Sequence, residues 1–232
     1  MEKPNNLGSM PPLAFPKRIL ITLLRLFFKL LYHQIAWMYD WVASIVSLGS
    51  WQNWVTSVVP YLNDPKTLEI GFGTGHLQVA LSQKGISIYG LDESHQMAQI
   101  TQRRLASMGL RSNLIRGDAQ VLPFADNCFH QVVMTFPAEY ILIPASLTEI
   151  RRVLVNDGVV IMAPLAWITG RKPLERLAAW VNHITGEAPE WDAKSLEPLK
   201  KLGFEVSWEM INFKTSKILI IRMQKSLHKE YG

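Results

Sequence analysis

Between residues 66 and 164 short apolar runs alternate with helical stretches, and nothing else in the chain limits its folding as tightly. The runs are KTLEI (66–70), ISIYGLD (86–92), SNLIRGD (112–118), HQVVMTF (130–136) and GVVIMAP (158–164). Helical stretches between them include Leu77–Gln83, Ser94–Met108 and Ala145–Val155. Strands separated by helices predict a parallel sheet covered on both faces. GFEVSWEMINF and SKILIIRMQ then follow one another across a short polar link, which predicts an antiparallel hairpin at one edge. The expected fold class is therefore α/β, a doubly wound and mostly parallel sheet ending in that hairpin. In such a sheet ligands gather beyond the carboxyl ends of the strands, so the residues just after each run are the functional candidates.

After the first run comes LEIGFGTGHL, with Glu69 ahead of Gly71, Gly73 and Gly75. Three alternating glycines permit positive φ and let a ligand approach the backbone at the start of a helix. Such loops serve NAD, FAD, ATP and purely structural ends alike. A P-loop is excluded because no Lys-Ser/Thr pair follows the last glycine, and the dinucleotide fingerprint needs a glycine where this chain has His76. Glu69 would repel a pyrophosphate but suits a ligand carrying an ammonium group and a sulfonium. Asp92 follows the second run, 17 residues past Gly75, placed to accept from ribose hydroxyls. After the third run, Asp118 can accept from an exocyclic amine and the Ala119 amide can donate to a ring nitrogen. Each aspartate could instead be a turn or cap residue. Taken together they describe an adenosine joined to an amino acid and lacking phosphates.

These segments resemble the successive motifs of class I S-adenosylmethionine-dependent methyltransferases. The likeness is carried by LEIGFGTGHL, GLDES, GDAQVLPFADNCFHQVVMTF and EIRRVLVNDGVVIMAP, in order over roughly residues 36 to 164. It points to the branch of quinone-biosynthesis C-methyltransferases and phospholipid N-methyltransferases, which MYD (38–40) ahead of a helical segment also resembles. The resemblance implies a Rossmann-like sheet of seven strands with the last one reversed, and S-adenosyl-L-methionine as cofactor. It assigns Glu69 and the glycines to the methionyl part, Asp92 to the ribose, and Asp118 with Ala119 to the adenine. Thr135 and Phe136 then fall at the end of the fourth strand beside the methyl group. His130 departs from the pattern, which usually has aspartate there.

Methyl transfer from a sulfonium is an in-line displacement, governed by alignment in a dry pocket, so spacing reveals no obligatory catalytic residue. Tyr39, Asp40, Glu139, Tyr140 and His183 are the candidates for a base or an acceptor-orienting group. Each also has an ordinary structural reading.

Composition sharpens the rest. A chain of 232 residues with 48% hydrophobic content can bury one full core, so a single domain with an N-terminal appendage is expected. Cys128 stands alone, which rules out an internal disulfide, and its apolar surroundings suggest a packed thiol. The six histidines show no metal-ligand spacing, and no metal is expected. Net charge is +5, and between Glu2 and Asp40 it is all basic: Lys3, Lys17, Arg18, Arg25 and Lys29.

Residues 1–16 read as a flexible arm and 17–60 as a helical cap, leaving 61–232 for the methyltransferase domain. Within the cap Arg18, Thr22, Arg25, Lys29 and His33 are spaced 4, 3, 4 and 4, one polar stripe on an otherwise apolar helix. Its cations argue against a signal peptide or a membrane span. A helix lying in the lipid headgroup region fits, and so does plain packing on the following domain. Aliphatic neighbours make nucleic acid a poor partner. The expected location is cytoplasmic, peripheral at the inner membrane face.

WMYDWVASIVSLGSWQNWVTSVVPYL reads as two helical pieces broken at Gly49, and its tryptophans suit either a substrate mouth or a helical cap. The stretch 166–190 is long for a connection and contains an amphipathic helix, which suggests a substrate lid. The expected activity is methylation of a hydrophobic or lipid-like small molecule, a quinone precursor or a phospholipid headgroup. Alternatives are an NAD-type oxidoreductase and a cofactor-binding partner subunit without catalysis.

Overall fold

A computed structural model describes residues 38–63, 66–86, 88–138, 141–170 and 196–226. The arm, the cationic helix over 18–33 and most of the 166–190 insertion lie outside these residues. The strands are β1 (Thr67–Ile70), β2 (Ile88–Asp92), β3 (Asn113–Arg116), β4 (Phe129–Thr135), β5 (Leu154–Ile168), β6 (Phe204–Asn212) and β7 (Ser216–Lys225). They form one sheet in the order β3-β2-β1-β4-β5-β7-β6. β1 to β5 pair in parallel, and β7 runs antiparallel between β5 and β6. The expected mostly parallel, seven-stranded sheet with a terminal hairpin is what forms.

Helices α1 (Tyr39–Val46), α2 (Trp51–Val55), α3 (His76–Gln83), α4 (His95–Ser107), α5 (Pro144–Val153) and α6 (Glu197–Lys201) flank the sheet. Their ends have local causes. α1 stops before Gly49, whose φ of 79° ends the helical path. Ser94 caps α4 by accepting from the Met97 amide. Pro144 opens α5, where no amide hydrogen is needed.

Alternation along the central strands splits the core in two. Val132, Met134, Val160, Met162, Leu219 and Ile221 face α5 and α6 through Leu147, Ile150 and Leu199. Val133, Ile161, Ala163, Ile218 and Ile220 face α2, α3 and the 3₁₀ turn Thr56–Tyr61 through Trp54, Val58, Leu77 and Leu81. Period-two burial on both faces is what a doubly covered sheet demands.

β5 corrects the sequence reading at both ends. The sequence predicts helix to Val155 and a strand over 158–164. Instead β5 begins at Leu154 and absorbs the extra residues in a bulge, with Asp157 at φ 62° and the register against β4 shifting between Phe129 and Gln131. Pro164 falls at a second register shift, between Met162 and Leu165, the kind of irregularity that accommodates a proline within a strand. The strand runs on to Ile168, so Ala166–Ile168 belong to β5 and not to an insertion.

Candidate functional site

The loop after β1, from Gly71 to His76, lines one part of a cavity of about 210 Å³. Gly71, Gly73 and Gly75 have φ of 76°, 51° and 82°. Gly75 is required twice over, because a Cβ there would also lie 2.4 Å from Thr101 Cγ2. A Cβ on Gly73 would meet nothing within 4 Å, so the backbone there is open to a ligand. α4 grips this loop from outside: Thr101 Oγ1 donates to the Gly73 carbonyl at 2.8 Å and Arg104 to the Thr74 carbonyl at 2.6 Å.

Two buried carboxylates stand behind the loop. Asp92, 1% exposed, accepts from the Gly73 amide through Oδ2 and from the Ser94 amide through Oδ1, both at 2.9 Å. Glu69, also 1% exposed, accepts from Gln78 Nε2 at 2.7 Å. Burial, reinforced by Asp92 and partly offset by the Gln78 hydrogen bond, pushes its carboxyl up to about 8. A cationic ligand would relieve that unfavourable state, and an anionic one would worsen it.

At the third tip, the Gly117 amide donates to the Asp92 carbonyl at 3.1 Å, which ties the end of β3 to the end of β2. Asp118 is exposed and outside the cavity lining; its Oδ1 accepts from the Gln120 amide at 2.8 Å. Ala119 is buried beside it.

Another part of the lining is aromatic. Tyr39 lies edge-on to Trp51 with centroids 5.9 Å apart, and Trp51 stacks on Phe136 at 4.9 Å. Val55 and Ile141 complete the apolar lining, and Thr135 lines the floor. Phe136 has φ 49°, a strained setting for a non-glycine residue, fixed by its amide donating to the Ala163 carbonyl at 2.8 Å.

The structure thus gathers Gly71, Gly73, Gly75, Thr135, Phe136 and Tyr39 around one cavity, with Glu69 and Asp92 behind the loop. Glu139, Tyr140 and His183 lie outside the described residues. Asp40 is engaged by His76, Thr74 and Arg104. His130 is exposed at the start of β4. Cys128 is half-buried, and burial pushes its thiol up, as befits a packed sulfur. Sequence reasoning missed Thr74, Gln78, Thr101 and Arg104 as site residues, whereas Trp51, one of the tryptophans read as suiting a substrate mouth, does line the cavity. Gln78 did leave a signal, being a polar residue beside Leu77 on the buried face of α3. Arg104 left none, since its partners are 30 and 64 positions away. Among the described residues there is no metal-binding cluster of His, Cys, Asp or Glu, and no helix long and apolar enough to cross a membrane.

Comparison with known proteins agrees with this geometry. Residues 67–158 match a family model described as "Methyltransferase domain". A demethylmenaquinone methyltransferase of Thermotoga maritima is 30% identical over 217 residues, covering 82% of this chain and 93% of that protein. A demethylmenaquinone methyltransferase of Roseiflexus castenholzii is 32% identical over 65% of this chain, which spans 64% of that relative. The chain spans only a little over half of some other curated relatives, 54% to 56% of their length. Among solved structures, phosphoethanolamine N-methyltransferase 2 of Haemonchus contortus, bound to phosphomonomethylethanolamine and S-adenosylhomocysteine, shares the fold. Its TM-score is 0.55 at 16% identity, over 77% of this chain and 53% of that one.

Proposed function

Because this chain belongs to the class I S-adenosylmethionine-dependent methyltransferases, we propose that it methylates a hydrophobic aromatic acceptor of the quinone-precursor type. The observation that carries this reading is that Tyr39, Trp51, Val55, Phe136 and Ile141 line the same cavity as the glycine loop. Aromatic and aliphatic side chains favour a flat apolar ring over a zwitterionic headgroup. The name of the T. maritima relative supports the same class of acceptor.

The residues fit the cofactor. Gly71, Gly73 and Gly75 would receive its methionyl part against open backbone, the buried Glu69 carboxyl its positive charge, and Asp92 its ribose hydroxyls. We assign Asp118 and Ala119, at the tip bonded to Asp92, to the adenine. S-adenosylmethionine supplies a methyl group already activated on sulfur, so the protein's share is alignment and exclusion of water. Thr135 and the strained Phe136 shape the floor, and the Tyr39 ring, with its hydroxyl, orients the acceptor.

We further propose that delivery occurs at a membrane surface. Trp41 and Ile45 are 72% and 69% exposed and four positions apart on α1, and the basic apolar segment 18–33 precedes them. The 171–190 stretch is proposed as a lid over the acceptor.

Transfer of labelled methyl to a short-chain demethylmenaquinol, with phosphoethanolamine as rival acceptor, tests the assignment. The expected preference for the quinol is about 100-fold or more, the scale a matched pocket supplies. Preference for phosphoethanolamine, or transfer to neither, defeats it.

A further inference from the structure

α1 contributes Tyr39 to the cavity, yet none of its eight residues is fully buried. A helix with so little core contact is held by its side-chain contacts. The Asp40 carboxylate accepts from Thr74 Oγ1 at 2.6 Å, meets His76 Nε2 at 3.1 Å and pairs with Arg104. The other terminal nitrogen of Arg104 donates to the Thr74 carbonyl. Every partner belongs to the glycine loop or grips it. Thr74 is in the loop, His76 opens α3, and Arg104 follows by one helical position set (i, i+3) the Thr101 that holds Gly73. Tyr39 itself packs against the small cluster of Phe72 and Met97, and Phe72 is again a loop residue.

The contacts form a continuous path. From the ribose side it runs Asp92 to the Gly73 amide, then from Thr74 to Asp40, and from Asp40 to its neighbour Tyr39 on the acceptor wall. Burial alone would raise the Asp40 carboxyl, but hydrogen bonds from His76, Thr74 and Arg104 hold it well below the usual carboxylate range. Asp40 therefore remains ionised and is a poor proton acceptor, which removes it as a general base.

We infer that Asp40 is a positioning residue that couples the glycine loop to the acceptor wall, so that a ligand ordering Gly71–His76 also orders α1 and Tyr39. The inference rests on the reading of the loop as the cofactor site. A partly exposed ion pair with no such role would leave the two regions independent.

Amide hydrogen exchange on the full chain, with and without S-adenosylhomocysteine, separates the two cases without needing an acceptor. In the unaltered protein the ligand should slow exchange in the loop and in α1, each by about threefold or more, the range of ordinary coupling energies. In Asp40→Asn the loop should keep its protection while α1 loses it. With a quinol acceptor, the same variant should raise KM about tenfold and change kcat less than about threefold. Thr74→Val, which leaves the Asp40–Arg104 pair in place, should give a partial loss of α1 protection and serves if Asp40→Asn does not fold. Ligand-independent exchange in α1 of the unaltered protein, or full α1 protection retained in the variants, overturns the coupling. Loop amides that show no protection at all would overturn the cofactor reading, and the coupling with it.

Discussion

On one side of the cavity Glu69 and Asp92 are each 1% exposed and rise from strands bonded into the centre of the sheet. On the other, Tyr39 comes from α1, whose Trp41 and Ile45 are 72% and 69% exposed, and Trp51 opens the short α2. The first side is set by backbone hydrogen bonds and by glycines at positive φ, so the fold itself gives it its shape. The second is assembled from rings and from the polar contacts of Asp40, so it has a lower local stability to lose. If the proposed roles hold, the difference ties the cofactor side to folding and leaves the acceptor wall open to change at small cost to the core.

The contrast is most easily broken at Gly75. Its φ of 82° and the 2.4 Å approach to Thr101 predict that Gly75→Ala loses about 3 kcal/mol of stability, from strain plus overpacking. Calorimetry should then detect no uptake of S-adenosylhomocysteine. A variant that melts normally and binds normally would show that the loop is not preformed.

Glu69→Gln comes next and has a pH signature. The folded carboxyl lies near 8 and its ordinary value is 4.5, so within that window the native state holds a proton that the unfolded chain has released. Stability therefore falls as pH rises from about 4.5 to 8, by up to about 1.4 kcal/mol per pH unit, and the Gln variant should lack that slope. Denaturant midpoints at several pH values measure it. The same variant should bind S-adenosylhomocysteine about tenfold more weakly, through loss of a charge-assisted contact.

On the aromatic side, Trp51→Ala should raise acceptor KM about tenfold while the cofactor Kd moves less than about twofold, because only the wall loses apolar area. Equal losses of both would erase the distinction between the two sides. Smallest of all, His130→Asp restores the residue usual at that strand entrance. At this exposed position it should shift the melting free energy by no more than about 0.5 kcal/mol.

The glycine loop and its buried acids were legible in the sequence because their pattern is local. LEIGFGTGHL carries the strand, the turn and the helix start within ten residues, and Asp92 sits directly at the end of an apolar run. The sheet was legible for the same reason, since apolar runs and helical stretches announce a covered parallel sheet. What could not be read depends on pairs distant in the chain: Asp40 with Arg104, Trp51 with Phe136, Trp54 Nε1 donating to Ser216 Oγ. β5 extends beyond the GVVIMAP run at both ends, from Leu154 to Ile168. A proline and a polar NDG do end most strands, and here two bulges accommodate them.

The reversed strand has a consequence for biosynthesis. β7 fills the slot between β5 and β6, so the long apolar edge of β5 has no neighbour until Ser216–Lys225 has been made. Emerging from the ribosome, the nascent chain carries an open strand rich in valine, isoleucine and methionine, the kind of edge that recruits stray chains. Pulling out that single late segment would unzip two strands at once, and chaperone demand should peak just before it appears.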